Sequence, residues 1–429
     1  MSWFSHILQI FKIPELRSKL LFVFGMLVVF RIMANIPIPA IDETRLREFF
    51  AGNQLFGLLN VFTGGSLDNL SIVMLGVGPY ITATIVLQLL TMIFPALEKL
   101  YKEEGEQGRQ KFNQYGRMLT VPFAFLQGYA FLTILSRQQV IGEISLLALV
   151  PTLITVTAGT IFLMWLGELI SEKGIGNGVS LIIFAGIVST LPVSIRQIFI
   201  TWDASQLVPY VAFFVVAFLI IAGVVWITDA RRNIPVSYAK RVRGNRMYGG
   251  VSTYLPLNVN PAGVIPIIFA LSLLLFPGMI ASFFQGSQGI VGQIARAVQG
   301  FVDPNINPWG YGAFYFLLVC VFTYFYTAVT FDPKAISSNL QKMGGFIPGV
   351  RPGVSTSQFL SYVLNRILLL GALFLGSVAL MPSIVQGVTG VQAFQFLVGG
   401  TSLLIMVSVV LETIRQLRSQ LQMRDYDTF

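Results

Sequence analysis

Ten separate apolar runs, each about as long as a bilayer is thick, punctuate this chain and fix most of what it can become. They centre near residues 28, 83, 126, 158, 188, 218, 272, 320, 372 and 403. A hydrocarbon core takes about 20 apolar residues per helix, so each run predicts one spanning helix. Composition agrees, since 55% of the 429 residues are hydrophobic and only 11% are charged, against roughly 25% charged in a soluble domain. Ten-residue alternating segments are absent, which argues against an outer-membrane barrel. The expected fold class is an all-α polytopic membrane protein.

Charge placement gives the orientation. With the first residues on the cytoplasmic side, 21 of the 28 Lys and Arg fall on inside segments. Only Arg45, Arg47, Arg137, Arg196 and Arg296 fall outside, with Arg31 and Arg366 within or at the edge of spans. The excess of basic residues in cytoplasmic loops then predicts both termini inside. The opening "MSWFSHILQIFKIPELRSKLL" carries no visible cleavable signal and reads as an interfacial amphipathic arm over residues 1–19, with Pro14 opening the next helix.

Ten spans divide into five plus five, an N-terminal half over 20–200 and a C-terminal half over 201–413, with a tail at 414–429. "GVGPYI" (Gly76 to Ile81) and "GVIPII" (Gly263 to Ile268) open the second span of each half with the same Gly-x-x-Pro. Because five is odd, such halves run in opposite senses, the inverted-repeat plan that places a pathway at its own interface. Two cytoplasmic loops, 229–260 and 332–358, are long for connectors, and long loops tend to be functional. The first carries six basic residues and one acid; the second holds "KMGGFIPGVRPGVST", with Arg351 between Val350 and Pro352.

The missing chemistry narrows the function. No Gly-Lys dipeptide occurs, so no phosphate-cradling P-loop can form. His6 is the only histidine and Cys320 the only cysteine, too few for a nucleophilic triad, a disulfide or a thiol-metal site. No cofactor is expected, and no enzyme. Ion-coupled transport needs titratable groups within spans, and Glu168, Asp229, Arg366 and Glu412 all sit near span ends. A secondary transporter of small solutes is the alternative reading to an apolar, neutral conduit.

One more stretch stands out. "FTGGSLDNLSIVMLG" (Phe62 to Gly76) precedes the second run, and its first half reads as a glycine-hinged turn feeding a turn or two of helix. By its residues alone it is equally an ordinary external loop.

Five long matches in order resemble the SecY family, the channel subunits of the bacterial protein translocon. They are "EEGEQGRQKFNQYGRMLT" (Glu103 to Thr120), "SEKGIGNGVSLIIFAGIV" (Ser171 to Val188), "RRNIPVSYAKR" (Arg231 to Arg241), "NLQKMGGFIPGVRPG" (Asn339 to Gly353) and "GGTSLLIMVSVVLET" (Gly399 to Thr413). The resemblance implies a protein-conducting channel of the bacterial plasma membrane, moving unfolded polypeptides across the bilayer or sideways into lipid through a central pore between two pseudo-symmetric halves. Implied partners are SecE, SecG, the SecA ATPase, the ribosome with its RNA, signal-bearing precursors and membrane lipids.

Carried over residue by residue, the family's pore ring falls on Ile81, Ile85, Ile183, Ile187, Ile268 and Ile405. Without the resemblance, ordinary helix packing is the better reading of any one of them. The plug falls at about 62–71, on Gly64, Gly65, Ser66, Leu67, Asp68, Asn69 and Leu70. Ser66 or Asp68 is expected to cap its short helix, and the job of leaving the pore implies weak anchoring. Thr82, Thr84, Gln88, Gln127 and Ser272 are candidates for neutral polar contacts across a lateral gate. Arg351, with Lys240, Arg241, Arg243 and Arg246, is expected to meet the motor or the ribosome.

Overall fold

The structure, a computed structural model, describes residues 13–38, 63, 65–67, 69–137, 141, 146–200, 207–238, 241–243, 246–248, 252–284, 289–302, 307–389 and 400–427. The interfacial arm lies outside them apart from its last residues. The first half contributes α1 (Pro14–Ala34), α2 (Gly78–Ile93), α3 (Pro95–Lys102), α4 (Gly105–Arg137), α5 (Leu146–Lys173) and α6 (Gly178–Ile200). The second contributes α7 (Leu207–Asp229), α8 (Ile265–Phe284), α9 (Ile290–Val302), α10 (Pro308–Thr330), α11 (Pro333–Lys342), α12 (Val354–Thr389) and α13 (Gly400–Asp427).

Every centre of an apolar run lies in one of these helices. By length and composition, four described helical segments can cross a membrane alone: Gly105–Ser136, Leu147–Lys173, Pro308–Lys342 and Val354–Met381. Helix α2 with α3 makes a fifth as a broken span bent by 110°. Pro95 causes the bend, because a proline drives the residue before it out of helical geometry, and Phe94 is extended (φ −107°, ψ 107°). Proline also starts helices cleanly. Pro308 opens α10 behind Asn307, whose side chain accepts from the Gly310 amide at 2.9 Å. Asp332 caps α11 the same way before Pro333.

The expected all-α class needs one correction. The two long loops build a three-stranded antiparallel sheet in the order β4-β1-β5, from β1 (Arg231–Tyr238), β4 (Ser252–Asn258) and β5 (Gly345–Phe346). A separate ribbon pairs β2 (Arg241–Arg243) with β3 (Arg246–Tyr248). Strand β1 alternates, turning Ile234 and Val236 inward, where they join Leu257, Leu340, Ile347 and Leu360 in a small core of their own. Register pairs Ser237 with Phe346 and Tyr238 with Gly345, so one loop is stitched to the other.

Helix neighbours repeat between the halves. Helix α1 packs on α5 and α6 as α7 packs on α12 and α13, and α2 meets α4 as α8 meets α10. Likewise α4 meets α5 as α10 meets α12, and α5 meets α6 as α12 meets α13. The halves touch along two lines, α8 against α2 and α4, and α6 against α13.

Candidate pore and lateral seam

The paired Gly-x-x-Pro motifs have paired geometry. Gly76 and Gly263 both take left-handed backbone, at φ +57° and +62°, where a side chain costs energy and glycine does not. Each kink aims the chain into a helix that begins two residues later, with Pro79 or Pro266 in its first turn. Five residues beyond each glycine stand Ile81 and Ile268, so the two isoleucines hold matching places in α2 and α8.

Those two join Ile85 of α2, Ile183 and Ile187 of α6, and Ile405 of α13 in one contiguous apolar cluster. None of the six is more than 6% exposed. Spacing of four residues puts both members of each α2 and α6 pair on one helix face. The structure thus brings all six carried-over residues, from four helices, into one core.

A cavity of about 700 Å³ opens above them, with Ile81, Ile268 and Phe269 in its lining. Its wall holds an ion pair that sequence reading missed. The Nε of Arg117 (α4) donates to Oε1 of Glu168 (α5) at 2.9 Å, and Tyr80 of α2 lines the same cavity. Fifty-one residues separate the charged partners, too far for any local pattern to link them. Gln88 lines the same cavity, and its buried Oε1 has no partner among the described residues.

The plug stretch lies on the other side of the cluster. Gly64 and Asp68 fall outside the described residues. Gly65 (φ +76°) sits beside the middle of α6, where an added Cβ would lie 3.6 Å from Thr190. The described residues 65–67 and 69–77 form successive turns rather than a helix. Of the two expected caps, Ser66 does not act as one: its hydroxyl donates to the carbonyls of Thr63 (2.8 Å) and Val73 (3.2 Å). Anchoring is also firmer than expected. Leu67, Leu70 and Met74 are buried against Phe131, Leu132 and Leu135 of α4 and Leu153 and Val156 of α5. A short antiparallel pairing adds Ile38 N to Leu70 O (3.0 Å) and Ile72 N to Ile36 O (3.1 Å). The Asn69 amide donates to Asn35 Oδ1 at 3.3 Å.

At the seam, Gln127 of α4 donates to the Thr82 hydroxyl of α2 at 3.4 Å. That bond stays on one side. Thr82 and Thr84 donate to the carbonyls of Gly78 and Tyr80 in their own helix, and the Ser272 side chain, on α8, has no hydrogen-bond partner among the described residues. The seam is therefore closed by packing, with Phe269 of α8 edge-on to Phe322 and Tyr326 of α10 behind it.

Arg351 is exposed on a loop turned by Gly349 (φ +82°) and Gly353 (φ +97°). The Thr356 hydroxyl donates to its carbonyl at 2.9 Å, and buried Ser337 donates to the Gly353 carbonyl at 2.6 Å. No described residue pairs with the guanidinium. Lys240 lies outside the described residues, and Arg241, Arg243 and Arg246 lie in the β2–β3 ribbon.

Residues 71–414 match the SecY protein family. Among curated relatives, the SecY protein translocase subunit of Streptomyces galbus is 44% identical, with 98% of each chain covered. That of Mycobacterium leprae is 41% identical, with 97% of each covered. Among solved structures, a protein-conducting channel superposes with a TM-score of 0.64 at 20% identity, over 93% of this chain and 91% of the other. Sec61 in a canine ribosome-channel complex superposes with a TM-score of 0.60, also at 20% identity and with the same coverage.

Proposed function

Because this chain belongs to the SecY family of protein-conducting channel subunits in the bacterial plasma membrane, we propose that its six clustered isoleucines are the constriction through which unfolded polypeptides pass. The observation that carries this is the meeting of Ile81, Ile85, Ile183, Ile187, Ile268 and Ile405, from four helices of both halves, directly below the cavity. An apolar constriction sheds water and so blocks ions at rest. It still closes around any passing chain, since dispersion contacts carry no directional demand.

The rest of the pathway follows from the same frame. Ten spans form two inverted halves, 20–200 and 201–413, a reading supported by the repeated helix neighbours and the matched kinks at Gly76 and Gly263. Both termini and the sheet face the cytoplasm, so the cavity is the inner vestibule. The stretch at 62–71 is the plug, in its seated state. The line of α8 against α2 and α4 is the lateral gate, and the line of α6 against α13 is the hinge opposite. Polar bonds within spans average only about 0.6 kcal/mol, so a seam whose cross-contacts are apolar parts readily for a hydrophobic segment. Arg351 serves SecA or the ribosome, while SecE clamps the halves and SecG joins them.

Replacing Ile268 or Ile405 with Asn tests the constriction. A polar ring holds water, so precursors with defective signal sequences should be exported and resting ion conductance should rise. Selectivity and conductance equal to those of the parent would remove these residues from the pore.

A further inference from the structure

Helix α9 belongs to neither the constriction nor the gate, yet its surface divides into three chemically distinct sectors. Successive helical residues turn by about 100°. That places Ile290, Val291, Ile294 and Phe301 on one side, and all four are exposed, Ile290 at 75% and Ile294 at 59%. Gly292 and Ala295 fall on the next sector and are buried, and Val298, at the edge of the apolar sector beside Val291, is partly buried against the main core. The buried sector meets α8 and α10, and Phe301, half exposed at the C-terminal end of the apolar sector, rests one edge on Phe314 of α10 at 5.4 Å between ring centres. Gln293 and Arg296 take the third sector, both exposed, with Arg296 Nε folded back to the Gly292 carbonyl at 3.2 Å.

Exposed apolar surface continues to either side of α9. Ile280 and Phe284 are exposed in part on the last turns of α8, and Trp309 is 63% exposed on the first turn of α10. Both neighbours are helices of the membrane bundle, so the apolar sector of α9 extends a surface that already faces lipid. Tryptophan gathers where spans leave the hydrocarbon, which sets the depth of this end. Helix α8 runs away from the cytoplasmic sheet, so α9 lies at the opposite end of the bundle.

We propose that α9 is an in-plane membrane-surface helix. Its Ile290, Ile294 and Phe301 side sinks into the acyl boundary of the outer leaflet, and its Gln293 and Arg296 side faces headgroups and water. Such helices bind through buried apolar area plus attraction of basic residues to anionic lipid. Helix α9 thereby ties the outer end of the gate helix α8 to the bilayer surface.

The test places nitroxide labels at Ile294→Cys and Gln293→Cys, with Ile290→Cys as a second reporter of the apolar sector. All are made in a Cys320→Ser chain, assembled in the complete translocase and reconstituted into phosphatidylethanolamine–phosphatidylglycerol vesicles. Labels at 294 and 290 should be severalfold more accessible to dissolved oxygen than to an aqueous nickel chelate, and the label at 293 should show the reverse. Equal access of the chelate to all three sites overturns the proposal. So does shielding of 294 and 290 from both reagents, which would assign this face to a protein partner or a second copy.

Discussion

Single atoms decide how firmly the plug stretch is held. Gly159 of α5 lies under its backbone, and a Cβ there would stand 2.1 Å from the Ile72 carbonyl oxygen. Neither backbone can yield cheaply, and overpacking of this kind costs roughly 1–3 kcal/mol. Gly159→Ala should therefore lift residues 71–77 off α5, lowering the melting temperature of the purified complex and raising resting ion leak in planar bilayers. Unchanged leak would mean that this contact does not hold the seal. Arg351 sits at the other extreme, exposed and without a partner among the described residues, on a loop held by its backbone. Its guanidinium offers a planar fork for carboxylate or phosphate, whereas an ammonium offers only charge. Arg351→Glu should leave membrane insertion and SecE association intact while abolishing SecA-driven transport into reconstituted vesicles, and Arg351→Lys should retain part of it. Full transport by the Glu variant would end its role as a partner contact.

Elements set what those residues can do. The Arg351 loop is clipped to α11 by Ser337, which is 2% exposed and 2.6 Å from the Gly353 carbonyl. Removing that hydroxyl by Ser337→Ala costs about 1 kcal/mol, a typical net hydrogen bond. Faster amide exchange across 349–353 should accompany a partial loss of SecA-driven transport, smaller than that of Arg351→Glu. Unaltered exchange would show the loop to be held by its glycines alone. The helices were legible in the sequence because a bilayer demands long apolar runs, and all ten centres lie in helices. The sheet was not, because two inward residues on β1, Ile234 and Val236, are too few to make a visible period of two. Its third strand, moreover, comes from more than 85 residues further along the chain. The six isoleucines were found through family resemblance; by periodicity alone they look like any packing residue. Nothing local pointed to the Arg117–Glu168 pair, since each partner reads as a charge near a span end.

At the scale of the whole molecule, orientation is the reading most open to a direct test. An impermeant maleimide added to intact cells should label Gln293→Cys in a Cys320→Ser chain and spare Lys342→Cys and Ser419→Cys until the membrane is opened. The reverse pattern would invert the topology. The two lines of contact between the halves also differ in kind. Helices α6 and α13 are continued by a polar clasp, the Gly176 amide donating to Gln416 Oε1 at 2.7 Å, while α8 meets α2 and α4 without a described hydrogen bond across the line. One side resists parting and the other does not, which suits a shell that opens along a single edge. The ring of isoleucines proposed as the constriction would, finally, govern traffic as well as closure. A constriction lined with donors would offer every arriving peptide group a new bond, and a well of about 1 kcal/mol at each step slows hopping roughly fivefold. Six isoleucine side chains offer no such wells. Friction is then nearly the same for every residue that passes, and the speed of the journey is left to whatever pushes.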